Sequence, residues 1–187
     1  MRTPTALDAV VFDCDGLLAS GGEAMAACFG LPGAGPALAD RLAGLVWQEL
    51  AAGTPALPGA REMTETLRRR GIPIAVASNS PRRFVEAALG SAELLDLFDV
   101  IVSADDVAHA KPAPDLYLTA CARLAARPER SVAFEDSRTG VAAARAAEMF
   151  VVGVPSMPGT VLDAHVSYDS LADAELRSWM VSCTATR

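Results

Sequence analysis

Residues 9–16 read Ala9-Val10-Val11-Phe12-Asp13-Cys14-Asp15-Gly16, an apolar run followed by two carboxylates and a glycine. An unbroken apolar run of this length near a terminus is typical of a strand buried on both faces of a parallel sheet. The carboxyl ends of such strands lie at the sheet edge where ligands bind, and Gly16 lets the chain turn sharply away. Two carboxylates at positions i and i+2 favour a catalytic site there, although an aspartate that caps a turn is the simpler alternative.

Length, composition and charge limit the kind of protein. The 187 residues are 51% hydrophobic, enough for one domain of ordinary size with a small insertion. The net charge of −7 argues against nucleic acid as a partner. No apolar stretch could span a bilayer, the first residues lack a signal-peptide core, and the four cysteines are scattered as in a reducing compartment. We therefore expect a cytoplasmic protein with no membrane partner.

Strand and helix signals alternate at short spacing from residue 59 onward. Predicted strands cover residues 74–77, 100–103, 131–134 and 151–154, and predicted helices cover residues 60–70, 81–89, 114–124 and 140–147. Ser80 is the expected N-cap of the second helix, and Leu116, Leu118, Cys121 and Leu124 are the apolar residues of the third. A short strand at Val166 and a helix over residues 171–180 complete the pattern. The alternation predicts an α/β fold, a Rossmann-like three-layer sandwich with a mostly parallel central sheet.

Residues 17–58 interrupt the alternation. The segment is rich in alanine and glycine and contains no β-type run. A short helix is predicted over residues 23–29 and a longer one over residues 36–51, where four leucines form an apolar stripe. We interpret residues 17–58 as a shortened helical cap insertion, and residues 1–16 with 59–187 as the α/β core domain.

Polar side chains follow the successive predicted strands. In chain order these are Asp13 and Asp15 after the first strand, Ser78 and Asn79 after the second, Lys111 in the loop after the third, and Glu135 and Asp136 after the fourth. Lys111 is the single lysine among sixteen basic residues. Each piece alone has an ordinary explanation as a helix cap, a surface lysine or a helix-start charge pair. Their occurrence at successive ends of parallel strands favours one shared site.

Charge balance indicates what this site binds. Four carboxylates against one lysine would force some acids to stay protonated, because the ordinary pKa values of Asp and Glu are about 3.9 and 4.3. A divalent ion relieves this repulsion, and a site of oxygen ligands without histidine or thiolate suits Mg²⁺. Mg²⁺ and the Lys111 ammonium can then balance a phosphate dianion. The sequence thus favours phosphoryl transfer.

Four segments of the chain resemble the four motifs of the haloacid dehalogenase superfamily, and more narrowly its phosphatase and β-phosphoglucomutase-like branch. They are Asp13-Cys14-Asp15-Gly16-Leu17-Leu18, Ala77-Ser78-Asn79-Ser80, Lys111-Pro112-Ala113-Pro114-Asp115 and Phe134-Glu135-Asp136-Ser137. In that branch a helical cap lies between the first and second motifs. The resemblance covers residues 8–16 and 58–172.

The resemblance implies a role for each motif residue. Asp13 would attack phosphorus and form an aspartyl-phosphate, and Asp15 would protonate the leaving alcohol and then activate water. Ser78 and Lys111 would hold phosphoryl oxygens, with Asn79 close by.

The resemblance also implies a metal site. Asp13, Asp136 and the backbone carbonyl of Asp15 would bind Mg²⁺, and Glu135 would support the ion directly or through water.

The implied activity is that of a phosphoric monoester hydrolase acting on a small phosphorylated metabolite such as a sugar phosphate. Asp15 disfavours a dehalogenase, and a receiver domain would carry its phosphoacceptor at a later strand. A hexose-phosphate mutase and a cap-truncated pseudo-enzyme with a binding role stay open. The usual cap is a bundle of four or five helices, whereas residues 17–58 have room for two. The shortened cap leaves the substrate unassigned and makes a homodimer plausible.

Overall fold

The computed structural model describes residues 3–19, Trp47, 53–157 and 159–186. Within them the strands are β1 (Ala6–Leu7), β2 (Ala9–Phe12), β3 (Ile74–Ala77), β4 (Val100–Val102), β5 (Ser131–Glu135), β6 (Phe150–Gly153), β7 (Val166–Ser167) and β8 (Thr184–Ala185). The helices are α1 (Ala60–Arg69), α2 (Arg82–Ser91), α3 (Asp115–Arg123), α4 (Arg138–Ala146) and α5 (Ala174–Ser182). Strands β2 to β7 form one parallel sheet in the order β4-β3-β2-β5-β6-β7.

Strand β2 lies at the centre of the sheet because every one of its residues is apolar and fully buried. Val10 and Phe12 point to one face, where α1, α2 and α5 pack, and Val11 points to the other, where α3 and α4 pack. The helices therefore cover both faces of the sheet. The predicted three-layer α/β fold is confirmed.

Helix α3 packs on the sheet through a face that includes a tyrosine. Tyr117 is fully buried, whereas Leu118 is 42% exposed. The helix begins at Asp115 after Pro114, and residues Leu116, Tyr117, Ala120 and Cys121 then share the face toward the sheet. Leu118, one of the apolar residues of the predicted helix, therefore points away from the sheet.

The start of α2 also differs from the prediction. Its cap position is Pro81, and Ser80 makes no cap hydrogen bond to the helix. The Ser80 hydroxyl instead donates to Asp15 across the sheet edge. The predicted capping role of Ser80 is wrong because its hydroxyl has a partner outside the helix.

A second, two-stranded parallel sheet joins β1 to β8 and was not predicted. Thr184 N donates to Thr5 O at 2.8 Å, and the Trp179 indole donates to Pro4 O at 2.7 Å. Strands of two residues carry too little periodicity to be recognised in a sequence.

Paired backbone flanks the predicted insertion. Leu57 N donates to Leu18 O at 2.9 Å, and Ala19 and Ala56 form an antiparallel bridge. The predicted helices over residues 23–29 and 36–51 lie outside the described residues except for Trp47, whose ring packs against Phe84 with centroids 6.2 Å apart. The domain boundaries at residues 17 and 58 stay a prediction. No described helix is long and apolar enough to span a membrane.

Candidate active site

The carboxyl ends of β2, β3 and β5 and the loop after β4 meet at one edge of the sheet. Lys111 lies at the centre of this edge, with its Nζ atom 2.5 Å from Asp13 Oδ1 and 2.6 Å from Glu135 Oε1. Asp13, Lys111 and Glu135 are 7%, 8% and 0% exposed. Residues separated by about a hundred positions in the chain are thus brought together, as the parallel topology requires.

Asn79 holds the backbone around the lysine. Its Oδ1 accepts from Lys111 N at 2.8 Å, and its Nδ2 donates to Lys111 O at 3.3 Å. The following peptide bond, to Pro112, is cis. Both polar atoms of the Asn79 side chain are therefore used by Lys111, and its predicted proximity to a phosphoryl oxygen stays a prediction.

Glu135 is surrounded by hydrogen-bond donors. Oε1 accepts from Tyr117 at 2.5 Å as well as from Lys111, and Oε2 accepts from the Ser137 hydroxyl at 3.1 Å. A Cβ atom placed on Gly140 would lie 1.8 Å from Glu135 Oε1, so the first turn of α4 can approach the carboxylate only with glycine there. Glu135 thus acts in this arrangement as the anionic partner that fixes Lys111.

Tyr117 was missed by reasoning from the sequence. Its ring also lies beside the lysine, with Lys111 Nζ 4.9 Å from the ring centroid. A signal was present, because a tyrosine on a helix face that packs against a sheet needs a partner for its hydroxyl. Glu135, at the carboxyl end of β5, is that partner.

Asp15 is directed toward two serine hydroxyls. Its Oδ2 accepts from Ser80 Oγ at 2.7 Å and from Ser78 Oγ at 3.2 Å. Ser78 is fully buried, and its oxygen accepts from Ser80 N at 3.0 Å. The two aspartates of the first motif therefore have different surroundings, one facing a lysine and the other facing hydroxyls.

An acidic cluster lies beside the lysine. Asp13, Glu135 and Asp136 each offer a carboxylate oxygen within 4.8 Å of the others. Gly16 permits this arrangement, since a Cβ atom there would lie 2.3 Å from Asp136 Oδ2. Hard oxygen ligands in a buried, acid-rich group are the donors that Mg²⁺ prefers. The residues therefore fit a magnesium site, to which the backbone carbonyl of Asp15 is a predicted fourth contributor.

Burial makes these charges interdependent. Burial, and then the charges of Glu135 and Asp136, raise the pKa of Asp13 well above its ordinary value despite the opposing effect of Lys111. Burial likewise raises the pKa of Asp15 against the two serine hydrogen bonds, and raises the pKa of Asp136 to about 6. The carboxylates Asp13 and Glu135 raise the pKa of Lys111 although burial acts in the opposite direction. A further positive charge in this cluster therefore stabilises the ionised forms of its carboxyl groups.

Sequence comparison assigns the family. Residues 34–148 match the profile described as haloacid dehalogenase-like hydrolase. The chain belongs to the haloacid dehalogenase-like hydrolase family. The matched region includes Ser78, Lys111 and Asp136, and the Asp13–Asp15 pair precedes it.

Relatives within the haloacid dehalogenase-like family include phosphatases. The chain is 37% identical over 118 residues to validoxylamine A 7'-phosphate phosphatase of Streptomyces hygroscopicus subsp. limoneus, covering 63% of this chain and 52% of that protein. It is 38% identical over 102 residues to hexitol phosphatase B of Escherichia coli (strain K12), covering 54% and 46%. The chain thus spans about half the length of these curated relatives.

A solved structure of the same family extends the likeness to the whole fold. The haloacid dehalogenase family hydrolase from Deinococcus radiodurans R1, solved with bound phosphate and sodium, is 28% identical with a TM-score of 0.77. The likeness covers 97% of this chain and 100% of that one.

Proposed function

We propose that the protein is a Mg²⁺-dependent phosphatase that hydrolyses a small phosphorylated metabolite through an aspartyl-phosphate on Asp13. The observation that carries this proposal is the position of Lys111, whose ammonium lies between the Asp13 and Glu135 carboxylates at 2.5 and 2.6 Å. The carboxylate alone would repel a negatively charged phosphoryl group. A buried cation beside it offsets that repulsion and lets the group approach. The phosphatase relatives support the same reaction class.

Two steps account for hydrolysis. In the first, a carboxylate oxygen of Asp13 attacks phosphorus, the ester P–O bond breaks, and the leaving oxygen takes a proton from Asp15. In the second, water attacks the phosphorus of the aspartyl-phosphate and gives a proton to Asp15. The bond from phosphorus to Asp13 then breaks, which releases inorganic phosphate and restores both aspartates.

Lys111 and Ser78 hold the phosphoryl group during both steps. The Lys111 ammonium neutralises charge on the phosphoryl oxygens, and the Ser78 hydroxyl at the end of β3 donates to one of them. Asp13, Asp136 and the backbone carbonyl of Asp15 would hold Mg²⁺, with support from Glu135, and the ion when bound would offset the negative charge of the phosphate and of the acids.

The substrate class is proposed from the relatives. One relative is named a hexitol phosphatase, and a hexitol is a polyol, while the other is named for validoxylamine A 7'-phosphate. A sugar or polyol phosphate is therefore the substrate class that we propose. Hydrolysis, rather than the transfer of phosphate between sugar positions, is the outcome that separates this proposal from a mutase.

The decisive experiment measures release of inorganic phosphate from p-nitrophenyl phosphate and from a panel of sugar and polyol phosphates with Mg²⁺. Asp13→Asn keeps the shape of the side chain and removes the nucleophile, so we expect kcat to fall by at least about 10⁴-fold. Asp96→Asn is the matched control, because Asp96 is exposed and lies in the turn after α2. Equal rates for Asp13→Asn and the unchanged protein would disprove the proposed mechanism.

A further inference from the structure

Ser80 contacts the candidate acid–base group without having a part in the two steps above. We propose that Ser80 is a positioning residue that holds Oδ2 of Asp15 and so keeps Oδ1 directed at the leaving oxygen. This inference rests on the proposed function. It assigns to Ser80 a role that its place before a helix did not suggest.

Ser80 is the better placed of the two hydroxyls. Its Oγ lies 2.7 Å from Asp15 Oδ2, compared with 3.2 Å for Ser78 Oγ. The backbone of Ser80 is fixed on both sides, because Ser80 N donates to Ser78 Oγ at 3.0 Å and Ala104 N donates to Ser80 O at 3.2 Å. Pro81 follows with restricted backbone rotation. The backbone that carries the Ser80 hydroxyl is therefore held in a fixed position relative to Asp15.

Ser78 and Ser80 cannot both donate to Asp15 when a phosphate ester is bound. A serine hydroxyl has one proton to donate, and the Ser78 oxygen already accepts from Ser80 N. Once Ser78 donates its proton to a phosphoryl oxygen, it no longer donates to Asp15. Ser80 then remains as the donor that fixes the carboxyl group.

The hydrogen bonds also determine which oxygen of Asp15 exchanges the proton. Both serines donate to Oδ2, and none of the residues that the structure describes donates to Oδ1. Oδ1 is therefore the oxygen that carries the proton to the leaving alcohol as the ester P–O bond breaks. The same oxygen receives the proton of the attacking water in the second step.

This role predicts a dependence on the leaving group. A p-nitrophenolate leaves with little protonation, whereas phenolate and the alkoxide of a sugar need a proton as the P–O bond breaks. Removing the Ser80 hydroxyl should therefore slow the esters with poor leaving groups and spare p-nitrophenyl phosphate. A serine that only bound phosphate or stabilised the fold would affect all of these esters alike.

The test compares kcat/KM of the full chain and Ser80→Ala for p-nitrophenyl phosphate, phenyl phosphate and glucose 6-phosphate with Mg²⁺. This constant reports the transfer to Asp13, so a slow second step does not hide the effect. We expect losses of about tenfold or more for the last two esters and of less than about threefold for p-nitrophenyl phosphate. The ratio of two substrates in one preparation is independent of the fraction of folded protein, and Ser80→Gly provides a second variant without the hydroxyl.

Two further variants make the outcome specific. Ser131→Ala removes a buried hydroxyl that donates to Arg127 O at the opposite end of β5, and should leave all three constants unchanged. In an Asp15→Asn background, Ser80→Ala should add no further leaving-group effect, because the two residues act as a unit. Equal losses for the three esters, or none, overturn the role of Ser80. An Asp15→Asn variant without a leaving-group effect, or an inactive parent protein, contradicts the proposed function instead.

Discussion

Tyr117 donates its phenolic proton to Oε1 of Glu135 over 2.5 Å, and both side chains are fully buried. The same carboxylate oxygen accepts from Lys111. Burial and the neighbouring Glu135 charge raise the pKa of Tyr117 well above its ordinary value, so the phenol stays a donor throughout the physiological range. Tyr117 on α3 and Lys111 thus share one acceptor, and the helix stabilises the position of Lys111 through Glu135.

Tyr117→Phe removes this hydrogen bond without changing the shape of the ring. We expect the free energy of unfolding at neutral pH to fall by about 1.5 to 3 kcal/mol, as for hydrogen bonds to charged groups. Urea unfolding of the two proteins measures the difference. Tyr168→Phe is the matched control, because the hydroxyl of this half-buried tyrosine has no hydrogen-bond partner among the residues described, and it should change little.

Asp136→Asn should stabilise the metal-free protein. Burial, with a further contribution from Glu135, raises the pKa of Asp136 from 3.8 to about 6. The stability that this raised pKa confers is complete below about pH 4 and is lost as the pH rises through about 6. At pH 8 the amide avoids a buried charge, so we expect a gain of roughly 2 to 3 kcal/mol over the parent protein in EDTA.

The same variant should lose its response to magnesium. Mg²⁺ at a hundred times its dissociation constant stabilises a folded protein by about 2.7 kcal/mol, and the parent protein should show a higher Tm in MgCl₂ than in EDTA. Thermal unfolding of both proteins in EDTA and in MgCl₂, at pH 5 and pH 8, tests the stabilisation of the metal-free variant and the loss of its magnesium response. An equal Tm increase in Asp136→Asn would show that this carboxylate does not hold the ion.

Gly16→Ala should displace the Asp136 carboxylate. Gly16 has a φ of +81°, and an added Cβ atom would lie 2.3 Å from Asp136 Oδ2. Gly71 has a φ of +68° with nothing within 4 Å of an added Cβ atom, so Gly71→Ala has the same backbone strain, about 1 kcal/mol, without the collision. We expect phosphatase activity to fall at least about tenfold in Gly16→Ala and to be retained in Gly71→Ala. Similar activity in the two variants would contradict the close approach of Asp136.

Asp106 links three elements away from the site. It accepts from Ser103 N at 2.8 Å, from Arg82 at 2.7 Å and from Arg123 at 2.9 Å. Although partial burial opposes it, these donors hold the pKa of Asp106 well below its usual range. The stability that this lowered pKa confers is present above about pH 4 and is lost as the pH falls below that value.

Asp106→Asn should therefore destabilise the protein at pH 7 by about 2 kcal/mol and have a smaller effect near pH 3. Urea unfolding of both proteins at the two pH values measures the difference. Asp163→Asn is the control, since Asp163 pairs with Arg145 but is 89% exposed, and exposed pairs contribute about 1 kcal/mol or less. A destabilisation by Asp106→Asn that is the same at both pH values would contradict the role of its charge.

The positions of Asp13, Ser78 and Asp136 could be anticipated from the sequence because each directly follows a strand of a parallel sheet, and the carboxyl ends of such strands lie at one edge. Lys111 lies in the loop after β4, and its position also depends on the hydrogen bonds that Asn79 makes to its backbone. Burial of β2 could be anticipated as well, since its unbroken apolar run fits no exposed strand. The fold and the residues that share the site are thus consequences of the strand order.

The partner of Ser80 and the residues of α3 that face the sheet could not be anticipated, because both depend on packing details that the local sequence does not determine. Ser80 can cap a helix or donate to a neighbouring strand end, and the local sequence is the same in both cases. Tyr117 and Leu118 are adjacent, and neighbouring residues of a helix point about 100° apart. The rotation of α3 about its own axis therefore decides which of them faces the sheet.

The backbone bonds at Leu18 and Leu57 and the bridge between Ala19 and Ala56 hold the two ends of the insertion together. These bonds set the span between the ends, and the entropy of closing a loop grows slowly with its length. The predicted insertion is therefore a candidate for exchange as a unit. A chain in which the residues between these bonds are replaced tests whether the insertion decides which ester is admitted, with Asp13 and Lys111 left in place.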